Sequence, residues 1–418
     1  MELKKGYKQT EVGVFPDEWN LMTIDQIFEF HSTSNYSKAE MLSEGEIGCF
    51  HYGLIHSIPN NNYDIRTGVK YFITKQQAKY EFLKDGDVVM VDASEDLSGV
   101  NKSIEISGIV DKLYISGLHT YLLRDRGFFE KNFRGPILNS HFTKAQFYRL
   151  AVGMKVFGVS KQQLKTVLLP IPTKSEQTAI ANALSDADAY ITSLEKLIEK
   201  KRQIKQGTMQ ELFKSKDRWE NKKLGDIGKT FGGLSGKSKD DFKNGGFPYI
   251  PFMNIMTNPI IDLEFLDYVK LKSGESQNCA QKGDLFFNGS SETPEEVGMC
   301  SILLDDIPNL YLNSFCFGFR LRKELNINGL YLTYFFRSKE GRKLFYSMAQ
   351  GATRYNLSKG NFNKLEVPIP EIDEQKFIAY TLRDMDFDIK LHLNMLMKAK
   401  SMKQGMMQQL LTGKIRLI

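Results

Sequence analysis

Apolar positions at Ile180, Leu184, Ala187, Ile191, Leu194 and Ile198 step by four, three, four, three and four residues, the seam of a coiled coil rather than a broad core-facing stripe. The same register returns at Ile378, Leu382, Met385, Ile389, His392 and Leu396. Each seam follows a Pro-Ile-Pro element, at 170–172 and 368–370, which forces an extended approach before a helix can begin. Ser175 and Asp373 are the expected caps, with Glu176 and Glu374 in the first turn favouring the positive helix end. A helix from Glu176 to Phe213 would be a rod of roughly 57 Å at 1.5 Å per residue.

These two helices belong to a duplication. Val159–Phe213 aligns with Leu357–Leu411 without a gap, and 20 of the 55 paired positions are identical. Weaker echoes extend outward: Trp19 with Ile24 and Ile27 against Trp219 with Leu224 and Ile227, KDGDVV at 84–89 against QKGDLF at 281–286, and Phe147-Tyr148 against Phe345-Tyr346. The chain therefore reads as an N-terminal segment 1–14, a block 15–158, a helical region 159–218, a second block 219–356 and a second helical region 357–418. Duplication also predicts that the two termini lie side by side, closing a circular arrangement. Gly207 and Gly405, equivalent positions inside the helices, predict a close approach by the partner helix or by a docked protein, because glycine there costs roughly 1 kcal/mol relative to alanine. With them, Ile180, Leu184, Ile191, Leu194, Ile198, Ile378, Leu382, Ile389 and Leu396 form the expected helix-pairing set.

The blocks carry short β-rich runs, KYFIT, DVVMV, TYLLR, DLFFN and CFGFRLR, separated by turn residues, with an amphipathic helix at FTKAQFYRLAVG. The fold class is α+β: two mixed blocks separated by a pair of long antiparallel helices. The blocks differ most in polar loops, which implies one mechanical job with two different ligands.

At 418 residues the chain exceeds one comfortable core. No apolar run approaches a membrane span, and nothing at the start resembles a secretory signal. Cys49, Cys279, Cys300 and Cys316 lack a C-x-x-C pair and are expected to be buried free thiols, which suits the cytoplasm. Catalytic motifs are missing. Gly232 stands one residue too close to Gly236-Lys237-Ser238 for a phosphate loop, and His51 and His56 are five apart, the wrong spacing for one helical face. Neither G-x-S-x-G nor an amino-methylating D-P-P-Y element occurs. The net charge of +6 resides mainly in the helical regions, +4 and +3, against −3 and +1 for the two blocks. Charge alone therefore supports nucleic-acid binding weakly.

The frame G-Y-K-x-T-E-x-G-x-x-P-x-x-W at Gly6–Trp19, the duplicated P-I-P-x-x-x-E-Q-x-x-I-A and K-Q-G-x-M-Q-x-L, and the ending LLTGKIRL together resemble the specificity subunit of type I restriction-modification systems. The resemblance covers the whole chain, most specifically in the helical regions. It implies a non-catalytic protein whose two target recognition domains each read half of a split asymmetric site in double-stranded DNA. It further implies docking of two methyltransferase subunits, which bind S-adenosylmethionine, and two restriction subunits, which use ATP and Mg. No cofactor or metal is expected on this chain. A duplicated protein-binding scaffold and a methyltransferase-associated enzyme are the alternative readings. Candidate base-reading residues are Asn60, Asn61, Asn62 and Arg66 in the first block, and Ser235, Lys237, Lys239, Asn288 and Ser290 in the second. Lys155, Lys161, Arg354 and Lys359, where GMKVFGVSK and GATRYNLSK lead into the helices, are expected on phosphates.

Overall fold

The computed structural model describes residues 5–74, 80–214, 218–242, 245–347 and 355–417. It divides into two compact units, Met1–Lys196 with Asn394–Ile418, and Leu197–Leu393. Each unit contains one block and parts of both long helices.

In the first unit, five strands pair in the order Phe28–His31, Thr120–Asp125, Val88–Val91, Ser103–Ser107 and Asn62–Asp64, antiparallel except for the last pair. The run DVVMV shows why a sheet forms here. Val88 and Met90 enter one hydrophobic cluster while Val89 and Val91 enter another, the period-two alternation of a strand covered on both faces. A smaller sheet joins Leu113–Ser116, Ile47–Phe50 and Phe72–Ile73.

The second unit repeats this plan with different side chains. Its main sheet runs Gly228–Gly232, Cys316–Leu321, Leu285–Asn288, Cys300–Ile302. Leu285 and Phe287 face one cluster and Phe286 the other. The fifth strand of the first sheet is reduced here to a single parallel bridge between Ile260 and Ile302. Asp267–Val269, Phe247–Ile250 and Tyr311–Leu312 form the smaller sheet.

The repeated Gly-Asp pairs are turn devices. Gly86 and Gly283 adopt φ of 87° and 90°, a conformation that suits glycine. The following carboxylates accept from backbone N–H groups of Lys84 and Gln281 at 2.8 Å and form two-pronged pairs with Arg124 and Arg320 on the neighbouring strand.

The long helices run Lys174–Leu212 and Ile372–Leu410, 39 residues each. Both begin before the expected caps: Thr173 is the capping residue of the first, accepting from the Glu176 N–H while Glu176 accepts from the Thr173 N–H. The repeated Glu-Gln pair has a physical reason. Glu176 and Glu374 each accept an indole N–H, from Trp19 and Trp219, at 3.2 Å. Gln177 donates to Phe128 and accepts from the Glu130 N–H, whereas Gln375 accepts from the Asn328 N–H. These bonds fasten each block to the first turn of its helix.

Within the first unit, Ile180 and Leu184 share a core with Leu410 and Leu411, and Ile191 and Leu194 pack with Ala399 and Leu396. Lys403 pairs with Asp188 and Lys400 with Glu195, so the segments run antiparallel. Within the second unit, Ile378 and Leu382 join Phe213 in the core, Ile198 and Ile389 are buried, and Lys201 and Lys205 pair with Asp388 and Asp386 in the same antiparallel sense. Each fully buried Ile or Leu contributes about 1.5–3 kcal/mol. Gly207 and Gly405 do not meet the partner helix: a Cβ on either would find no atom within 4 Å. That expected close approach inside the chain is corrected.

The termini meet in the first unit. Tyr7 donates its hydroxyl to the Gly413 carbonyl at 2.6 Å, and Arg416 pairs with Glu18 and Glu176. Cys49, Cys300 and Cys316 are buried as expected, but Cys279 is exposed. Among the described residues, no helix is long and apolar enough to cross a membrane.

Candidate nucleic-acid interface

In both units the chain leaves the central sheet strand and immediately makes a two-residue strand that pairs with the approach to the next helix. Ala93–Ser94 pairs with Phe157–Gly158, and Ser290–Ser291 with Tyr355–Asn356. The Ser-Lys that follows is helix chemistry: Ser160 caps Lys161–Leu164 and Ser358 caps Lys359–Lys364. The lysines at the first helical positions remain exposed. Lys161 Nζ lies 5.1 Å from the Phe30 ring centroid, and Lys155 is exposed in the preceding turn. Arg354 lies outside the described residues.

Several sequence-chosen residues are structural instead. The Lys237 side chain is buried, its ammonium donating to Glu275 at 2.6 Å and to the Lys270 carbonyl at 2.8 Å. That hydrogen bond, with help from the Lys272 N–H and Gln277, holds the Glu275 carboxyl down at about 2. Asn288 is fully buried, donating to the Ser290 and Glu296 carbonyls and accepting from the Met299 N–H, which fixes the loop after the central strand. Asn62 belongs to the outer sheet strand and donates to the Asn132 carbonyl at 3.1 Å. Asn60 and Asn61 are partly buried, and the Asn61 carbonyl accepts from the Glu105 N–H. Buried amides and ammoniums answer to the fold, because leaving them unpaired would cost about 1–3 kcal/mol. Arg66 is exposed but already paired with Asp64, Nε to Oδ1 at 2.9 Å. Ser235 and Lys239 are exposed, and Ser290 is partly buried.

A group that the sequence reading passed over lies beside these paired strands in the first unit. Tyr52, His56, His119 and Val156 line a cavity of about 450 Å³, together with Ser94 and Asp96. Tyr52 stands edge-on to His119 at 5.6 Å and to His56 at 6.4 Å. His51, by contrast, caps the helix Tyr52–Ser57 through Nδ1. His119 has φ 56°, uncommon for a non-glycine residue. Its Nδ1 lies 3.3 Å from Asp92 Oδ1, a buried oxygen with no well-aligned hydrogen bond. Burial pushes the Asp92 carboxyl up, and His119 opposes that rise.

The second unit builds the same backbone frame. Asp92 N–H donates to the His119 carbonyl at 3.1 Å, and Gly289 N–H to the Phe315 carbonyl at the same distance. Gly117 N–H donates to Phe50, and Asn313 N–H to Ile250. The equivalences replace His119 by Phe315, Tyr52 by Phe252, His56 by Met256 and Asp92 by Gly289. Both 119 and 315 are well exposed, at 53% for the His119 side chain and 60% for Phe315. The signal in the sequence was positional: each is the residue just before a recognisable strand, TYLLR or CFGFRLR.

Two consecutive stretches, 16–206 and 216–398, match the Type I restriction modification DNA specificity domain. The chain belongs to that family. A type I restriction enzyme MjaX specificity subunit from Methanocaldococcus jannaschii is 25% identical across 99% of this chain and 97% of its own length. The MjaVIII specificity subunit of the same organism is 26% identical over 67% of this chain and 68% of its own length. Among solved structures, the type I S subunit from M. genitalium matches with a TM-score of 0.58 at 17% identity, covering 98% of both chains. A chain from a study of type I complex assembly and conformational transition matches with a TM-score of 0.59 at 14% identity, covering 96% of this chain and 99% of that one. This specificity subunit is thus the DNA-recognition, non-catalytic component of a type I restriction-modification system. Its mixed α+β fold with long helices is shared with those structures.

Proposed function

We propose that each block reads one half of a bipartite, asymmetric site in double-stranded DNA, and that the paired helices set the spacing between the halves. The observation that carries this reading is the pair of equal backbone frames with unequal side chains, exposed His119 and Tyr52 against exposed Phe315 and partly buried Phe252. A frame kept twice with its surface changed serves two ligands of one kind. Half-sites on one side of a duplex lie about 34 Å apart, and a 39-residue helix is about 58 Å long. Exposed Lys155, Lys161 and Lys359 are suited to phosphate, with Arg66, Ser235, Lys239 and Ser290 remaining candidates on the block surfaces. The helices also dock two methyltransferase subunits, which carry S-adenosylmethionine, and the assembly is completed by two restriction subunits using ATP and Mg. In a cell this machinery works in the cytoplasm.

The test is to express the subunit with its methyltransferase partners in a host lacking other modification and to sequence the methylated bases. One asymmetric motif with a fixed unread spacer is expected. Purified complex should also lose DNA affinity steeply with salt, as counterion release requires. A continuous motif, or salt-insensitive binding, would remove the two-reader reading.

A further inference from the structure

Resting on that two-reader reading, we propose that Met154 of the first block is an apolar wedge that enters a base step of the first half-site and unstacks it, with Lys155 on the flanking phosphate. Met154 sits at the tip of a hairpin that joins the helix His141–Leu150 to the strand Phe157–Gly158. Val152 and Gly158 exchange both backbone hydrogen bonds, at 3.0 and 3.1 Å, and the second arm is stitched to Ala93–Ser94. Gly153 has φ 152°, and a Cβ there would collide with the Val156 carbonyl, so the turn closes as tightly as glycine permits. A backbone held in this way fixes the direction of its side chains. What it holds outward is apolar: Val152 is 72% exposed, Met154 97% and Val156 54%, and among the described residues no other large apolar side chain is as exposed as Met154. Three apolar side chains grouped on one tip mark a surface that is covered in the working complex.

The tip fits DNA. Val156 lines the cavity shared with Tyr52, His56 and His119, so the hairpin continues the candidate interface and does not open a second surface. Lys155, exposed between Met154 and Val156, supplies the charge for a phosphate. Glu95 and Asp96 line the same cavity and turn phosphate away from it, which leaves the backbone to Lys155 and the bases to the apolar tip. The repeat keeps a basic residue in its sequence here, Arg354, but has Gln350 and Ala352 where the first copy has Val152 and Met154, all three outside the described residues. A surface for two methyltransferase subunits would be needed in both copies, whereas a device for one half-site is needed once. Methionine is unbranched and adapts to irregular gaps, and it is among the apolar side chains that enter between base pairs and kink a duplex. Pyrimidine–purine steps yield to such a wedge most easily.

The complete subunit with its methyltransferase partners is bound to duplexes carrying its own motif, with 2-aminopurine, whose fluorescence is quenched by stacking, placed in turn at purine positions through both half-sites and the adjoining steps. Wild type should brighten one step in or beside the first half-site several-fold. Met154→Ala should abolish that signal and weaken DNA binding about 10-fold, with the bipartite motif and methyltransferase association unchanged. Met154→Leu, which keeps an apolar wedge, should retain both signal and affinity. Lys155→Gln should keep the brightening and make the salt dependence of log K shallower by about 0.9. A wild-type complex with no unstacked step at the first half-site overturns the wedge. So does brightening that survives Met154→Ala, which belongs to base flipping by the methyltransferase subunits, or a Met154→Ala defect in subunit association at unchanged DNA affinity. A wild-type motif that is not bipartite would instead overturn the two-reader reading itself, so the two failures are distinct.

Discussion

Arg416 lies against the carboxylate of Glu176, 240 residues earlier in the chain, and the same carboxylate accepts the Trp19 indole N–H. In the second unit Arg218 and Trp219, adjacent in sequence, meet Glu374 in the same way. The first unit thus borrows from the C-terminus what the second has in continuous chain.

Loss of Arg416 should therefore cost more than loss of Arg218. Glu176 has 3% of its side chain exposed and Arg416 21%, against 16% for Glu374 and 69% for Arg218. Burial alone would push the Glu176 carboxyl up, but hydrogen bonds from Arg416, Thr173 and Trp19 hold it below its usual range. Arg416→Ala should destabilise the first unit by about 2–3 kcal/mol, and Arg218→Ala the second by under about 1 kcal/mol. Each unit holds one of the two tryptophans, so denaturation followed by fluorescence in Trp219→Phe and Trp19→Phe backgrounds reads the units separately. Equal losses would contradict the asymmetry.

Alkaline pH should strengthen the first unit through Lys144. Its ammonium donates to the Val100 carbonyl, and burial, aided by Lys102, pushes it down to about 8. The folded value is below the unfolded one, so between about 8 and 10.5 the unfolded chain binds more protons and stability rises with pH. The contribution between pH 7 and 9 is about 1 kcal/mol. Urea denaturation in the Trp219→Phe background should show this rise, and Lys144→Met should remove it. Parallel pH profiles for the two proteins would count against a depressed Lys144.

The open space beside Gly207 shifts attention from the chain itself to its partners. Gly207→Leu should leave the second unit as stable as before, or up to about 1 kcal/mol more so. Association with the methyltransferase subunits should weaken at least 10-fold, measured by titration in an analytical ultracentrifuge. Undiminished association would leave the repeated glycine without a docking role.

A half-length chain should dimerise and modify a palindrome, provided it includes Arg218. In a two-fold dimer, Leu212, Phe213 and Arg218 of one copy would fill the places that Leu410, Leu411 and Arg416 take in the first unit. Fragment 1–220 with methyltransferase partners should methylate the first half-site and its inverted copy. Fragment 1–216 should do so more weakly. Methylation of the original asymmetric site by either fragment would break the modular reading.

Duplication, the coiled-coil register, the strand runs and the meeting of the termini were all legible in the sequence, because a side-chain period and a repeated segment are local properties of a chain. Ile180, Leu184, Ile378 and Leu382 are buried where their spacing put them. The surface was not legible in the same way. Lys237 and Asn288 have the composition of groove-reading residues, yet partners 38 and 11 residues away draw them inside. His119 and Phe315 share no chemistry that would align them; their places just before TYLLR and CFGFRLR are the one sequence signal, and their common backbone bonds establish that the two positions are equivalent. The repeated Glu-Gln pair read as a motif, but its reason lay in Trp19, Phe128 and Arg416, brought to it from 157, 49 and 240 residues away. Burial of a polar side chain is decided by whether distant segments supply its hydrogen-bond partners, and that supply exists only once the chain has folded.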